Sequence, residues 1–563
     1  MEAKINSLDV ANTSVASMFM RLYSDKVQNI EISTSLISSV LQGVDLGDAF
    51  IPCSQDQAQA LGDLVSFHDP KNNSAFYPEK HFVFGGHGLA LSSIYHSENT
   101  LAHKIKQMID VPVQNAEAFE QYKDLLSNEH QQKALKLALE KNLVMITGGA
   151  GTGKTYTLAR IIAVLHKLNP QANIMMAAPT GKAAQRMKES LHLSFNDPQL
   201  LDRNLVTDTL RDITPITMHR LLGLGYKHKK SDEMLPYDII VVDESSMLDL
   251  SLSNQLFSNL KPNCKVILLG DEKQLASVGL GFVLAELDSS IRLKDHFAKL
   301  VDSRRFSSDS LVGALASYVL EDHQIKNMDA IASDLTNMGV FGSMGHNDVF
   351  IENIATQEKT KHLKHVVCAK YQTYVDEVNR YLQGESNPQQ VCTAFDEYRV
   401  LTTTNLGSLG VDELNDLIDS WVAGKTNQSA KELYIGKPIM VLQNDYTNGL
   451  ANGDVGICLL DQDNELSIYF SSTDQWLSAK SLFTKYQSAY CMTIHKSQGS
   501  EYKEVTAILK AQGNAVVTKE MLYTAITRCK SKLGLYTCGF DVLDTALKLK
   551  TVRKSELAYL IDC

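Results

Sequence analysis

The stretch ITGGAGTGKTYT, residues 146–157, constrains the fold of this chain more than any other. It satisfies the spacing G-x-x-x-x-G-K-[ST] with Gly148, Gly153, Lys154 and Thr155, between the apolar run NLVMIT and the helical pattern YTLARIIAVLHKL. A strand, a glycine-rich turn and a helix in that order wrap backbone N–H groups around a phosphate at a helix N-terminus. Gly148, Gly149, Ala150, Gly151, Thr152 and Gly153 are the expected cradle, with Tyr156 just beyond it. Lys154 then reaches the β- and γ-phosphate oxygens, and the Thr155 hydroxyl is a ligand for Mg²⁺.

The rhythm around this loop predicts an α/β protein. NIMMAAPT (173–180), YDIIVVDE (237–244) and CKVILLGD (264–271) are continuous apolar runs with Thr, Asp or Glu at their ends, each followed by a helical pattern. Parallel strands buried on both faces read this way, and such sheets place their ligands at the carboxyl ends. YRVLTTTN (398–405), SAYCMTIH (488–495) and KLGLYTCG (532–539) predict a second domain of the same class. Between them, residues 436–470 break strands at Asn-Gly and Asp-Gln-Asp-Asn turns, so a small β insert is expected over about 430–485. The expected organisation is a mostly helical N-terminal domain over 1–110, an α/β domain over 111–345, and a second over 346–563 that carries the insert.

Composition narrows the class further. With 44% hydrophobic and 21% charged residues, the chain has an ordinary globular balance. No apolar run approaches the roughly 18 residues of a spanning helix and the start lacks a signal-peptide design, so a cytoplasmic protein with no membrane partner is expected. Nine scattered cysteines without a C-x-x-C pair argue against a disulfide framework or a zinc site. The net charge of −11 hides a gradient. Residues 1–110 carry seven basic against twelve acidic side chains, a balance of −5, whereas residues 481–563 carry twelve against seven, a balance of +5. A polyanion is therefore expected toward the C-terminal end.

Binding a nucleotide is not hydrolysing it, and the missing chemistry lies at other strand ends. Asp243 can hold the metal, and the adjacent Glu244 can orient or deprotonate a water attacking the γ-phosphate. Gln274 can touch both that phosphate and the water. Positive charge on the developing transition state must come from arginines, for which Arg305 in DSRRFSSDS and Arg528 in LYTAITRCKSK are the candidates. If Arg528 reaches across from the second domain, hydrolysis requires closure between domains.

Taken in order, QQKA, GGAGTGKT, APTGKAAQRM, TMHRLLG, VVDESSM, GDEKQLASVG, RRF, NDYTNGLANGDVG, TIHKSQGSEY and YTAITRCK resemble the superfamily 1 helicases of the 5′-to-3′ branch. Within that branch the series is similar to the RecD family, the alpha subunits of exodeoxyribonuclease V. The resemblance spans most of 128–545 and implies two RecA-like motor domains, ATP with Mg²⁺, 5′-to-3′ movement on single-stranded DNA, and an SH3-like insert. It implies that Gln131 recognises adenine, with the neighbouring Gln132 as the alternative. It also implies end-exposed duplex DNA as substrate, in double-strand-break repair by recombination. RecB-like and RecC-like chains of a heterotrimer are the implied partners, and the acidic N-terminal domain is their expected docking surface. Tyr156, where the family has a small polar residue, departs from the pattern, and the first 110 residues match only around IYHSENTLAHKI.

The implied DNA track runs through Thr180, Lys182 and His219 just beyond strand ends, then through Thr493, His495, Lys496, Ser497 and Gln498. Hydroxyl, amide and charged donors of this kind grip a backbone without reading its sequence. Asn444 and Asn452 in the insert are explained equally by DNA contact and by turn chemistry. The basic run KHKKSD (227–232) reads as a solvated hairpin tip. No separate D…E-x-K cluster is present, so any cutting of DNA is expected in a partner chain. A stand-alone helicase of the same branch and a nucleotide-stabilised docking subunit are the competing readings.

Overall fold

The computed structural model describes residues 2–72, 79–111, 116–224, 234–277, 279–301, 310–324, 326–341, 348–429, 432–445, 447–481, 485–511 and 516–563. Near the N-terminus, strands β1 (Val65–Phe67), β2 (Phe82–Phe84) and β3 (Leu89–Leu91) form a small sheet beside helices Glu2–Tyr23, Ile30–Asp45 and Ser92–Ile109. Next come β4 (Leu143–Gly148), β5 (Ile174–Ala178), β6 (Ile216–Thr217), β7 (Ile239–Val242), β8 (Lys265–Gly270) and β9 (Phe297–Leu300). They make one wholly parallel sheet in the order β6-β5-β7-β8-β4-β9.

This sheet is apolar on both faces because both are covered. Alternate residues Leu143, Met145, Val266 and Leu268 share one core, and Val144, Ile146, Ile267 and Leu269 share the other. Leu158, Ile161 and Ile162 of helix Lys154–Leu168 pack on the second face. Burial on this scale, at about 1.5–3 kcal/mol per large aliphatic side chain, holds the strand ends in register.

The remaining strands divide between two sheets. β10 (Val349–Asn353), β11 (Tyr398–Thr402), then β12 (Pro438–Val441), β13 (Val455–Leu460), β14 (Leu466–Phe470), β15 (Gln475–Ser478), β16 (Tyr486–Ser488), β17 (Cys491–Thr493), β18 (Tyr502–Leu509) and β19 (Cys529–Thr537) follow in the chain. A parallel sheet runs β10-β19-β18-β11-β17, and an antiparallel sheet runs β15-β14-β13-β12-β16. The Asp-Gln-Asp-Asn turn joins β13 to β14, with Asp461 Oδ1 accepting from the N–H groups of Asp463 and Glu465 at 3.0 Å and Asn464 at φ +58°.

Packing redraws two boundaries expected from sequence. Helix Ser92–Ile109, assigned to the N-terminal domain, buries Leu101, Ala102 and Ile105 in the core of the first parallel sheet. Helices Leu311–Leu320 and Met328–Asn337, assigned to the first α/β domain, bury Val312, Leu315, Ile331 and Leu335 in the core of the second. Apolar periodicity marks a helix but not the sheet it covers. The N-terminal region also contains β1–β3, which its helical reading omitted.

The chain end crosses back over the molecule as a strap. Arg553 donates to the carbonyls of Gly279 and Gly281 at 2.6 and 2.9 Å. Leu557, Leu560 and Ile561 join the core of the first sheet, and the carboxylate of Glu556 accepts from the His87 N–H at 2.8 Å. Beside it, Glu98 is 1% exposed and takes bonds from the Ser555 hydroxyl and the Glu556 N–H. Burial, reinforced by Glu556 and Glu286, pushes the Glu98 carboxyl up to about 8.

A carboxyl with a raised folded-state pKa contributes stability that is complete below its unfolded pKa and is lost as pH rises through the folded value. Melting temperature is therefore expected to fall between pH 5 and pH 8.5, and Glu98→Gln to flatten that fall. An unchanged slope in thermal melts of the variant would place the pH-sensitive group elsewhere.

Candidate nucleotide site and strand groove

The phosphate loop leaves β4 at Gly148 and enters helix Lys154–Leu168 through Gly153, whose φ of +84° suits glycine. A Cβ on Gly149 would lie 2.9 Å from the Tyr523 hydroxyl of helix Lys519–Thr527 beside the second parallel sheet, so a side chain there would require that hydroxyl to shift. Lys154 Nζ donates to the Gly148 and Gly149 carbonyls at 2.6 and 3.0 Å, and the Thr152 hydroxyl donates to Gly149 O at 3.0 Å. These bonds hold the loop curled back on itself.

A cavity of about 240 Å³ opens against this loop. Ala150, Gly151, Thr152, Gly153, Lys154, Thr155 and Tyr156 line one side, and Asp243, Glu244, Gln274 and Arg528 come from elsewhere in the chain. β7 ends immediately before Asp243, whose carboxylate Oδ1 accepts the Glu244 N–H at 2.8 Å. Burial, and then the negative charge of Glu244, push the Asp243 carboxyl up to about 6, while Lys154 and Arg186 pull the other way. Glu244 sits at φ +50°, a left-handed conformation that an ordinary residue adopts only where its surroundings enforce it.

Gln274 follows β8. Its Nε2 donates to Asp271 at 3.1 Å, and its buried Oε1 has no partner among the described residues. Arg528 is 1% exposed, donates through Nη1 to Ser500 O at 3.1 Å, and leaves Nε without a partner among the described residues. Arg305 lies outside the described residues, as does the run 227–232. A half-buried loop bearing a lysine, two adjacent carboxylates, and buried amide and guanidinium atoms without partners among the described residues suit a polyphosphate with a divalent cation. Thr155 and Asp243 both line this cavity.

The structure separates the two glutamines of QQKA. Gln132 Nε2 donates to Leu126 O at 2.6 Å, whereas Gln131 lies against Gly153 and keeps a buried Oε1 without a partner among the described residues. Gln131 is therefore the one poised at the loop. The unusual Tyr156 has the Arg160 guanidinium 3.3 Å above its ring, and Arg160 pairs in turn with Asp197 at 2.8 Å. The larger side chain is held in place by a cation–π contact.

Arg186 escaped the reading from sequence. It lines the cavity, pairs with Glu501 at 2.7 Å and donates to Gly499 O at 3.0 Å, so it joins the two parallel-sheet domains at the nucleotide site. The available signal was an arginine one turn after Lys182 on a helix starting at the carboxyl end of β5, where ligands of such sheets collect.

A second cavity, of about 310 Å³, runs between the ends of β5 and β6 and the antiparallel insert. Thr180, Thr217, His219, Asn444 and Asn452 line it, drawn from segments far apart in the chain. Thr180 also caps helix Gly181–Phe195 by accepting the Ala183 N–H at 3.2 Å, and Asn444 Oδ1 accepts the Asn452 N–H at 2.8 Å. These side chains thus shape their own turns while bordering the groove.

Other expected strand contacts lie differently. Lys182 is absent from the lining of this groove; it pairs with Asp396 at 3.3 Å and lies 4.8 Å over the Tyr502 ring, within the interface between the parallel-sheet domains. Thr493 accepts the Lys496 N–H at 3.3 Å, and Ser497 is fully buried with its hydroxyl donating to Ile494 O at 2.7 Å. Both hold the turn itself. Gln498, 4% exposed, donates to Leu275 O at 2.8 Å across the domain interface. That leaves His495 and Lys496 of the run less committed to the interior. Burial, aided by Arg553, holds the His495 imidazole below its usual pKa, which favours its neutral form.

Residues 131–280 match the AAA domain family, and residues 488–536 match the UvrD-like helicase C-terminal domain family. A RecBCD enzyme subunit RecD of Mycolicibacterium smegmatis is 33% identical over 443 residues, covering 76% of this chain and 74% of that one. The RecBCD enzyme subunit RecD of Haemophilus influenzae is 29% identical over 570 residues, covering 91% and 85%. An ATP-dependent RecD2 DNA helicase of Deinococcus radiodurans is 27% identical and covers 72% of this chain but 48% of its own length. Similarity that runs through both parallel-sheet domains and most of the relatives' length is similarity of the whole motor, and the chain belongs to the RecD family.

Proposed function

We propose that this chain is an ATP-hydrolysing DNA helicase that works as the motor subunit of a RecBCD-type helicase–nuclease. One observation carries the reading: Lys154, Asp243, Glu244 and Gln274 from the first parallel-sheet domain and Arg528 from the second line a single cavity. Lys154 and the loop N–H groups hold the phosphates, and Glu244 positions and deprotonates the attacking water. Gln274 Oε1 faces that water, and Arg528 balances charge developing on the γ-phosphate. Thr155 and Asp243 would hold Mg²⁺, which when bound would further neutralise the phosphate oxygens. Gln131 contacts the adenine, and Arg305 is a further candidate cation. The cleft closes only when both sheets contribute, so hydrolysis and separation of the domains are linked.

Single-stranded DNA is proposed to lie along Thr180, His219, Asn444 and Asn452, with His495 and Lys496 from the second domain, moving 5′ to 3′ as the family resemblance implies. Domains that hold the strand unequally in two states convert each cycle into a step, because only differential affinity shifts such an equilibrium. The antiparallel insert acts as an SH3-like arm over this groove.

The N-terminal region is proposed to dock on the RecB-like and RecC-like chains. Val15, Met18 and Leu22 of helix Glu2–Tyr23 share one helical face and are 53%, 67% and 68% exposed. An apolar stripe presented to solvent marks a protein–protein contact. The assembled complex would act in the cytoplasm on duplex ends during recombinational repair.

Three outcomes are expected. In the purified complex, Glu244→Gln keeps ATP affinity while kcat for hydrolysis falls by about 10²–10⁴ and unwinding stops; unchanged unwinding would refute the assignment. Arg528→Ala lowers kcat by about 10³ with a much smaller effect on ATP affinity, measured by equilibrium binding beside steady-state hydrolysis. Met18→Glu with Leu22→Glu abolishes co-purification with the partner chains at an unchanged melting temperature, since both side chains already sit in solvent; retained co-purification would move the docking surface elsewhere.

A further inference from the structure

We infer that Gln498 and Thr524 are positioning residues for ATP hydrolysis: together they clamp the peptide groups of Leu275, and so set where the neighbouring Gln274 stands against the γ-phosphate. The inference rests on the hydrolytic reading of the site and deepens it.

Both backbone polar groups of Leu275 are satisfied from the opposite domain. Its N–H donates to Thr524 Oγ1 at 2.9 Å, and its carbonyl accepts from Gln498 Nε2 at 2.8 Å. Leu275, Gln498 and Thr524 are 5%, 4% and 0% exposed, so water does not substitute for either bond. The residue immediately before Leu275 is Gln274, with its buried, partnerless Oε1 in the nucleotide cavity. Asp271 is held in the same way, because the Tyr523 hydroxyl donates to its Oδ2 at 3.2 Å, and that oxygen also accepts from Gln274 Nε2 at 3.1 Å.

The two clamping side chains come from segments with different duties. Gln498 closes the turn His495–Ser497, whose His495 and Lys496 the proposed function assigns to the strand. Thr524 lies on helix Lys519–Thr527, four residues before Arg528. One peptide is thus gripped at once by the strand-facing turn and by the helix that delivers the arginine. When the sheets part, both bonds break together, and a buried N–H and carbonyl beside Gln274 lose their partners; that geometry favours a closed, hydrolysing state and an open one over intermediates. A strand seated on the turn is thereby felt at the γ-phosphate.

The test compares Thr524→Val, which keeps shape but removes the acceptor, Thr524→Ser, which restores it, and Gln498→Met, which removes the donor. ATP hydrolysis is measured on the full chain with its partners, at saturating single-stranded DNA and fixed salt. Thr524→Val and Gln498→Met are expected to lower kcat about tenfold with KM for ATP and affinity for DNA unchanged, and Thr524→Ser to recover most of the loss. Unchanged kcat in both variants overturns the inference. So does a Gln498→Met variant that loses DNA affinity but keeps kcat at saturation, since that is the behaviour of a strand contact. Glu244→Gln is assayed alongside: if wild-type hydrolysis does not depend on Glu244, the hydrolytic reading itself fails, whereas Glu244-dependent hydrolysis with unaltered clamp variants removes the clamp alone.

Discussion

The nucleotide cavity is divided between two sheets, and this division organises the rest of the molecule. A phosphate loop at the end of β4 is complete without a second domain, yet the buried guanidinium of Arg528 belongs to a segment some 370 residues later. A cation inserted there is desolvated and leaves Nε without a partner. Such an arrangement is unfavourable unless a polyanion is present to compensate. On the proposed reading, nucleotide binding and domain closure would be coupled through Arg528.

Around this division the domains meet through both polar and apolar contacts. Lys182–Asp396, Arg186–Glu501, Gln498–Leu275 and Thr524–Leu275 cross between the domains as hydrogen bonds or ion pairs. Half-buried ion pairs form and break at modest net cost compared with extensive apolar burial. The strap at 553–563, by contrast, sinks Leu557, Leu560 and Ile561 into the first sheet's core. It ties the chain end to the first domain and to the N-terminal hairpin, and Leu275 of the first domain is in turn buried in the core of the second.

Several features were legible in the residues because their causes are local. The phosphate loop depends on backbone conformation within a few residues of Gly153, and the buried strands announce themselves by uninterrupted apolar runs. Turn chemistry at Asp461–Asn464 likewise acts within the turn. The roles of Ser497, Gln498 and Lys182 were not legible, because nothing in TIHKSQGSEY or APTGKAA states which side chains point to a groove and which to a neighbouring domain. Arg186 went unnoticed for the same reason, since its partner Glu501 is 315 positions away. The two helices after β9 carry ordinary amphipathic patterns, and only packing reveals that they cover the second sheet.

By itself the sequence determined the α/β class, the phosphate loop, and the ordered motifs that identify a RecD-type motor, because each rests on short-range spacing and hydrophobic period. The tertiary structure alone decided that Gln131 rather than Gln132 stands at the loop, that Arg528 enters the first domain's cavity, and that Leu275 is gripped from both sides. Those outcomes depend on how two independently folded sheets meet, and that meeting is fixed by surfaces assembled from many distant segments rather than by any one stretch of chain.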